Sequence, residues 1–131
     1  MAVGYACRVN GIDRLALTKP DVLEDLGEIR VCTGYRYKGE RLPAFPAEPW
    51  ILDKVEPEYR TLPGWRNSVR KARDFAALPA AFKDYVRTIE DLVGAEVALV
   101  STGVDRDDTI LLEERWPSGV RLDRVRAAIG R

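Results

Sequence analysis

An α/β fold, with a mainly parallel sheet, flanking helices and a small antiparallel hairpin, is what this sequence predicts. Two short apolar runs, Leu15-Ala16-Leu17 and Val97-Ala98-Leu99-Val100, each give way to a small polar motif, Thr18-Lys19-Pro20-Asp21 and Ser101-Thr102-Gly103. That is the layout of buried strands whose carboxyl ends open into loops. Between them Ala81, Phe82, Tyr85, Val86, Ile89 and Leu92 recur at helical spacing, with Pro79 before and Gly94 after, so a helix is predicted over 79–92. Ile29, Val31, Thr33, Tyr35 and Tyr37 alternate on one side of a further strand, and Lys38-Gly39 turns it back around 40–42 as the hairpin.

The remaining elements follow in chain order. Val3, Ala6 and Cys7 with the stop signal Asn10-Gly11 predict a helix over 2–10. The first strand covers 13–18. Asp21 is placed to cap a short helix through Leu26 that ends at Gly27, and Lys19, preceding Pro20, is expected to stay extended. Pro43, Pro46, Pro49 and Pro57 make 43–57 a mostly extended loop with one helical turn near 50–53. An edge strand over 55–62 is stopped by Pro63-Gly64-Trp65. The second motif strand, 96–100, leads through a charged turn at Asp108 into a short strand at 109–112. A terminal helix over 121–129 carries Leu122, Val125 and Ile129 on its apolar face. Trp50, Trp65 and Trp116 are expected to anchor loops on the core.

At 131 residues the chain fits one domain with one core. Lys plus Arg and Asp plus Glu are equal at 21 each, so the net field favours neither nucleic acid nor an anionic membrane as partner. No apolar run approaches the roughly 20 residues of a membrane span and the N-terminus lacks a signal-peptide layout, so a cytoplasmic protein is expected. Cys7 and Cys32 read as reduced, buried thiols. The absence of His removes the usual general base near neutral pH and the commonest zinc ligand. No Gly-rich phosphate loop is present. Asp105, Asp107 and Asp108 enclose Arg106 and read as turn and cap residues rather than a metal site. The basic run 66–73, interleaved with Asn67, Ser68 and Ala72, reads as the solvated face of a short helix. No catalytic residue and no metal ligand is assigned.

The polar motifs carry the chemistry. Open α/β sheets bind ligands at strand carboxyl ends. A carboxylate held there accepts two hydrogen bonds from the N1–H and N2–H edge of guanine, while the aliphatic stem of a Lys covers the base; adenine lacks that donor pair. Asp21 and Lys19 are the candidates, and Ser101 and Gly103 are placed to supply a hydroxyl and a backbone N–H to the purine edge. On local evidence a pair of ordinary loops is the alternative.

A resemblance adds to this reading. The run Val9-Asn10-Gly11-Ile12-Asp13-Arg14-Leu15-Ala16-Leu17-Thr18-Lys19, followed by Asp21-Val22-Leu23, is similar to the C-terminal region of adenylosuccinate synthetase. Further matches keep that family's order: Val31-Cys32 with Tyr35-Arg36, Val55-Glu56-Pro57 with Thr61-Leu62-Pro63-Gly64-Trp65, Ile89-Glu90, and Ser101-Thr102-Gly103 with Asp105-Arg106. The resemblance implies a guanine-recognition region over 1–112, within a partial P-loop-NTPase-like sheet, and an extension over 113–131 that takes in the helix predicted at 121–129.

What it implies about function is a GTP-dependent ligase that joins IMP to L-aspartate in purine biosynthesis, with Mg²⁺, as a cytoplasmic homodimer. On this reading Lys19, Pro20 and Asp21 form the guanine-reading segment, and Ser101, Thr102 and Gly103 the second GTP-contacting segment. Pro20 stands where the family usually has Leu, and Val104 where it usually has Pro. The family's phosphate loop, catalytic Asp and His, IMP contacts and aspartate loop have no counterpart here. The chain is therefore expected to be the C-terminal part of that enzyme, inactive alone, with the N-terminal part as its partner. A non-catalytic guanine-nucleotide-binding or protein-interaction module derived from the same fold is the alternative.

Overall fold

The computed structural model describes residues 1–66, 69–70 and 72–129. The two motif strands form as expected: β1 (Arg14–Thr18) lies parallel to β5 (Glu96–Ser101). The register sets Arg14 opposite Glu96 and Thr18 opposite Ser101, with an irregularity between Leu15 and Ala16. The chain then returns as β6 (Thr109–Leu111), antiparallel to β5, giving the order β1-β5-β6. Among the described residues the parallel pairing is confined to the two motif strands. A second, antiparallel sheet holds β2 (Glu28–Tyr37) between β3 (Glu40–Arg41) and β4 (Glu56–Pro63). Lys38 and Gly39 make the β2–β3 turn, both at positive φ as a tight primed turn requires.

One core joins the two sheets. Helix α3 (Ala80–Val93) lays Phe82 and Val86 on Val97, Val100 and Ile110, all fully buried or nearly so. Ile29 from β2 and Trp65 after β4 enter the same cluster, Trp65 standing edge-on to Phe82 with ring centroids 5.0 Å apart. Gly94 closes α3 in the left-handed conformation, and Gly11 does the same for α1 (Ala2–Asn10). The single turn α2 (Pro49–Leu52) forms where the proline-rich loop predicts one. After β6, Arg115 donates to the Val97 carbonyl at 2.8 Å and pairs with Glu90, and Trp116 donates its indole N–H to Ala98 at 3.3 Å. Helix α4 (Leu122–Ala128) follows, tied back by the Arg126–Glu113 ion pair.

Several local expectations yield to tertiary contacts. Lys19 is left-handed (φ 57, ψ 39) rather than extended, because the chain must turn sharply off β1 to sink Pro20 into the core. Pro20 thus keeps no extended path. The capped helix through Leu26 is instead a 3₁₀ turn over Pro20–Leu23, with Asp21 inside it and no side-chain cap. The alternation of β2 breaks between Cys32 and Gly34, where the pairing with β4 shifts register. Gly4 and Cys7, not Val3 and Ala6, face inward on α1, since Gly4 packs against the α3 backbone at Leu92 and Val93. Trp65 is a buried anchor and Trp116 a half-buried one, but Trp50 is 66% exposed. Within the basic run, Asn67, Ser68 and Lys71 lie outside the described residues.

Two backbone segments meet at Gly64. Its N–H donates to the Gly27 carbonyl at 3.0 Å, and Asp25 N–H donates to Trp65 at 3.1 Å. A Cβ on Gly64 would sit 1.7 Å from the Leu26 carbonyl oxygen. Backbone cannot give way as a flexible side chain can, so Gly64→Ala is expected to cost about 3 kcal/mol of unfolding free energy, the upper range for overpacking, measurable by denaturant titration. A second expectation concerns α4. Hydrogen bonding from Arg126 holds the Glu113 carboxyl below its ordinary 4.5. A depressed carboxyl stabilises the docked helix above that ordinary value and loses the contribution as pH falls through the lowered one. Amide shifts of Val125 and Ile129 should therefore move toward an undocked position on acidification below about 4.5, in step with the Glu113 side chain.

Candidate functional site

The register Thr18 opposite Ser101 sends both motif loops out of the same end of the β1–β5 pair. Between them lies a cleft of about 600 Å³ lined by Thr18, Lys19, Asp21, Val22, Ser101, Gly103 and Val104. The structure thus brings together Lys19, Asp21, Ser101 and Gly103 from the two motifs. Pro20 and Thr102 stand behind the wall, both completely buried. Their contribution is to hold the loops in shape.

The first loop is built by the turn at Lys19. Its left-handed backbone and the 3₁₀ turn after it bring Asp21 into the wall, 13% exposed at the side chain. The carboxylate Oδ2 accepts a hydrogen bond from Arg70 Nη2 at 2.8 Å. The second loop is fixed by its own polar groups. Thr102 donates both its backbone N–H, at 2.7 Å, and its hydroxyl, at 2.8 Å, to the Asp108 carbonyl, leaving its buried polar atoms satisfied. The Ser101 hydroxyl donates to the Gly103 carbonyl at 3.2 Å and keeps its acceptor lone pairs, and the residue lines the cleft. A Cβ on Gly103 would meet Asp108 Oδ2 at 2.2 Å, so the residue at this point must be small.

The acidic stretch forms the turn that the sequence suggests, though Asp105 makes no side-chain cap. Asp105 accepts the Asp108 N–H at 3.0 Å across the 3₁₀ turn Arg106–Asp108. The Asp108 carboxylate takes Arg73 Nη1 at 3.0 Å, and the Asp107 carbonyl takes it at 2.9 Å. Arg70 and Arg73 are exposed, as a solvated face requires, but each also pairs with a carboxylate on one of the two loops. Sequence reasoning missed them, along with Val22 and Val104. A signal was there: Val69 and Ala72 at apolar i, i+3 spacing alternate with Arg70 and Arg73 at the same spacing, the pattern of a segment half in the core.

The cleft combines one shielded carboxylate, one lysine, the hydroxyl residues Thr18 and Ser101, and two apolar side chains, Val22 at 68% and Val104 at 98% exposed. Such a set accepts hydrogen bonds from a donor edge and covers two flat faces, the requirement of a heteroaromatic base. At the opposite end of β1 and β5 a second cleft of about 350 Å³ is lined by Asp13, Arg14, Glu90, Glu96 and Arg115 among others. Its arginines are engaged by Glu96 at 3.3 Å and by Glu90.

Comparison with known proteins agrees with this arrangement. A family model described as adenylosuccinate synthetase matches residues 1–110. Adenylosuccinate synthetase 1 of Chromobacterium violaceum is 51% identical over 109 residues, 83% of this chain and 25% of that protein. The adenylosuccinate synthetase of Geobacter sulfurreducens is 47% identical over 120 residues, 92% of this chain and 28% of its own length. The fold superposes on a fully ligated adenylosuccinate synthetase from Plasmodium falciparum with a TM-score of 0.78 at 31% identity, covering 82% of this chain and 26% of that one. The chain spans about a quarter of the length of the relatives it matches. It belongs to the adenylosuccinate synthetase family.

Proposed function

We propose that this chain is the guanine-recognising part of a GTP-dependent adenylosuccinate synthetase, the ligase that joins IMP and L-aspartate in purine biosynthesis. The single observation that carries the reading is the cleft in which Asp21 and Lys19 from one strand end face Ser101 and Gly103 from the other. Residues 1–112 form the recognition region and 113–131 an extension of it. Asp21 accepts the N1–H and N2–H of guanine, the Lys19 stem and the exposed Val22 and Val104 side chains cover the base, and the second loop meets the purine edge. Pro20 and Thr102 belong to the two recognition segments as buried supports. The enzyme works in the cytoplasm as a homodimer; among the described residues no helix is long and apolar enough to cross a membrane.

The remaining machinery is supplied by a longer N-terminal part. Support comes from β1, which carries the continuous apolar run of a central parallel strand yet stands at the edge of its sheet. Beside it a groove of about 300 Å³ is lined by Val3, Leu15, Leu17, Tyr85, Ile89 and Val97 among others. An added strand from the rest of the enzyme fits there. The Mg²⁺ that serves GTP chemistry does not fit this chain's cleft. The lining offers one carboxylate, Asp21, already engaged by Arg70, so the ion is held elsewhere in the complete enzyme.

This reading makes two tests. The purified chain should form no adenylosuccinate from IMP, aspartate, GTP and Mg²⁺, because acid–base catalysis and phosphoryl transfer need positioned groups that the cleft does not hold. Turnover by the chain alone, lost on Asp21→Asn, would contradict it. In titrations followed by amide shifts, GMP should perturb Lys19, Asp21 and Ser101 to Gly103 with a Kd of about 1 mM, while AMP should not. Asp21→Asn presents one donor where guanine needs two acceptors and should weaken GMP by about 1–3 kcal/mol. Equal response to both nucleotides would make the motif structural and the alternative, an interaction module, the better reading.

A further inference from the structure

The walls of the cleft are held from behind by one segment. Val69 is fully buried, Ala72 is buried beside it, and Val69 N–H donates to Glu24 Oε1 at 2.7 Å. Pinned there, the segment sends Arg70 to Asp21 on the first loop and Arg73 to Asp107 and Asp108 on the second. Both carboxylates are well shielded while the two guanidinium groups are largely exposed. Asp21 and Gly103 line the cleft; Arg70 and Arg73 do not. Arg70 thus bonds the Asp21 carboxylate without itself lining the cleft.

We propose that Arg70 is the positioning residue for Asp21, and sets how sharply this site distinguishes a guanine from a base with only one donor on that edge. The inference rests on the reading of Asp21 as the guanine acceptor. A carboxylate has about four lone-pair sites on its two oxygens, and one N–H from Arg70 to Oδ2 uses a single one of them. Oδ1 and the second lone pair of Oδ2 stay available for N1–H and N2–H. The charge-assisted bond fixes the side-chain rotamer before a ligand arrives, so the base need not order it. Because one nitrogen makes the contact, a lysine can replace the arginine here, which it could not at a forked pair. Arg73 does the corresponding work on the second loop, holding Asp108 against Gly103.

The test compares GMP with IMP, which has the same ring without the 2-amino donor, on the full chain by amide-shift titration. Arg70→Ala should weaken GMP by about fivefold and shrink the GMP-to-IMP affinity ratio by a similar factor, as expected for losing one preordered side chain. Arg70→Lys should keep both within about twofold. Amide shifts of Val86, Val97 and Ile110 in the core should be unchanged in both variants, so that a global loss of fold is excluded as the cause. If Arg70→Ala leaves the ratio intact while Asp21→Asn lowers it, Arg70 is a surface ion pair and the proposal is overturned with the guanine reading standing. Tighter GMP binding by Arg70→Ala would make Arg70 a competitor and overturn it equally. If Asp21→Asn itself changes nothing, the guanine reading fails and this inference with it.

Discussion

The parallel pairing of β1 and β5 is the constraint on which the rest depends. Parallel neighbours send their carboxyl ends to the same edge of a sheet, and the register that sets Thr18 opposite Ser101 brings the two following loops level. A slip of one residue would turn every side chain of one strand to the other face, taking Val97 and Val100 out of the core beneath Phe82 and Val86. Burial therefore locks the register, and the register locks the site. The cleft is a consequence of core packing before it is a property of its own residues.

Polar bonds then shape what packing has placed. Thr102 is sealed in the core and spends both its donors on one carbonyl, that of Asp108. An unsatisfied hydroxyl there would cost about 1–3 kcal/mol, so the loop has one good conformation. On the other side Pro20 is buried to the same degree, and its burial forces the turn at Lys19 that presents Asp21. Each loop is thus shaped by a residue that never meets the cleft. The exposed groups, Lys19, Val22 and Val104, are free to face a ligand because the buried ones have already set the backbone.

How much of this was legible in the sequence depends on how far each feature reaches along the chain. The helices ending at Gly11 and Gly94, the Lys38-Gly39 turn and the two strand-to-loop motifs follow from neighbours within a few residues, and all formed where predicted. Lys19 did not stay extended, since the pre-proline preference is worth less than sinking Pro20 into the core. Asp21 makes no helix cap because its partner is Arg70, 49 positions away. The same distance problem hid the pairing of the arginine segment: Arg70 and Arg73 are exposed as a basic run suggests, but their acidic partners lie far away in the chain. Trp50 went the other way, exposed on a one-turn helix that buries none of its residues. The two motifs by themselves suggest a shared pocket, and the resemblance to a family is what favours it over a pair of ordinary loops.

The most direct test of this account asks whether one base touches both loops at once. In a nuclear Overhauser experiment on the chain with GMP, the guanine H8 and ribose H1′ protons should show contacts to methyl groups of both Val22 and Val104, one from each of the two loops that line the cleft. Contacts to only one of these residues, or to neither, would mean that the parallel pair does not assemble a shared site, and would contradict the account.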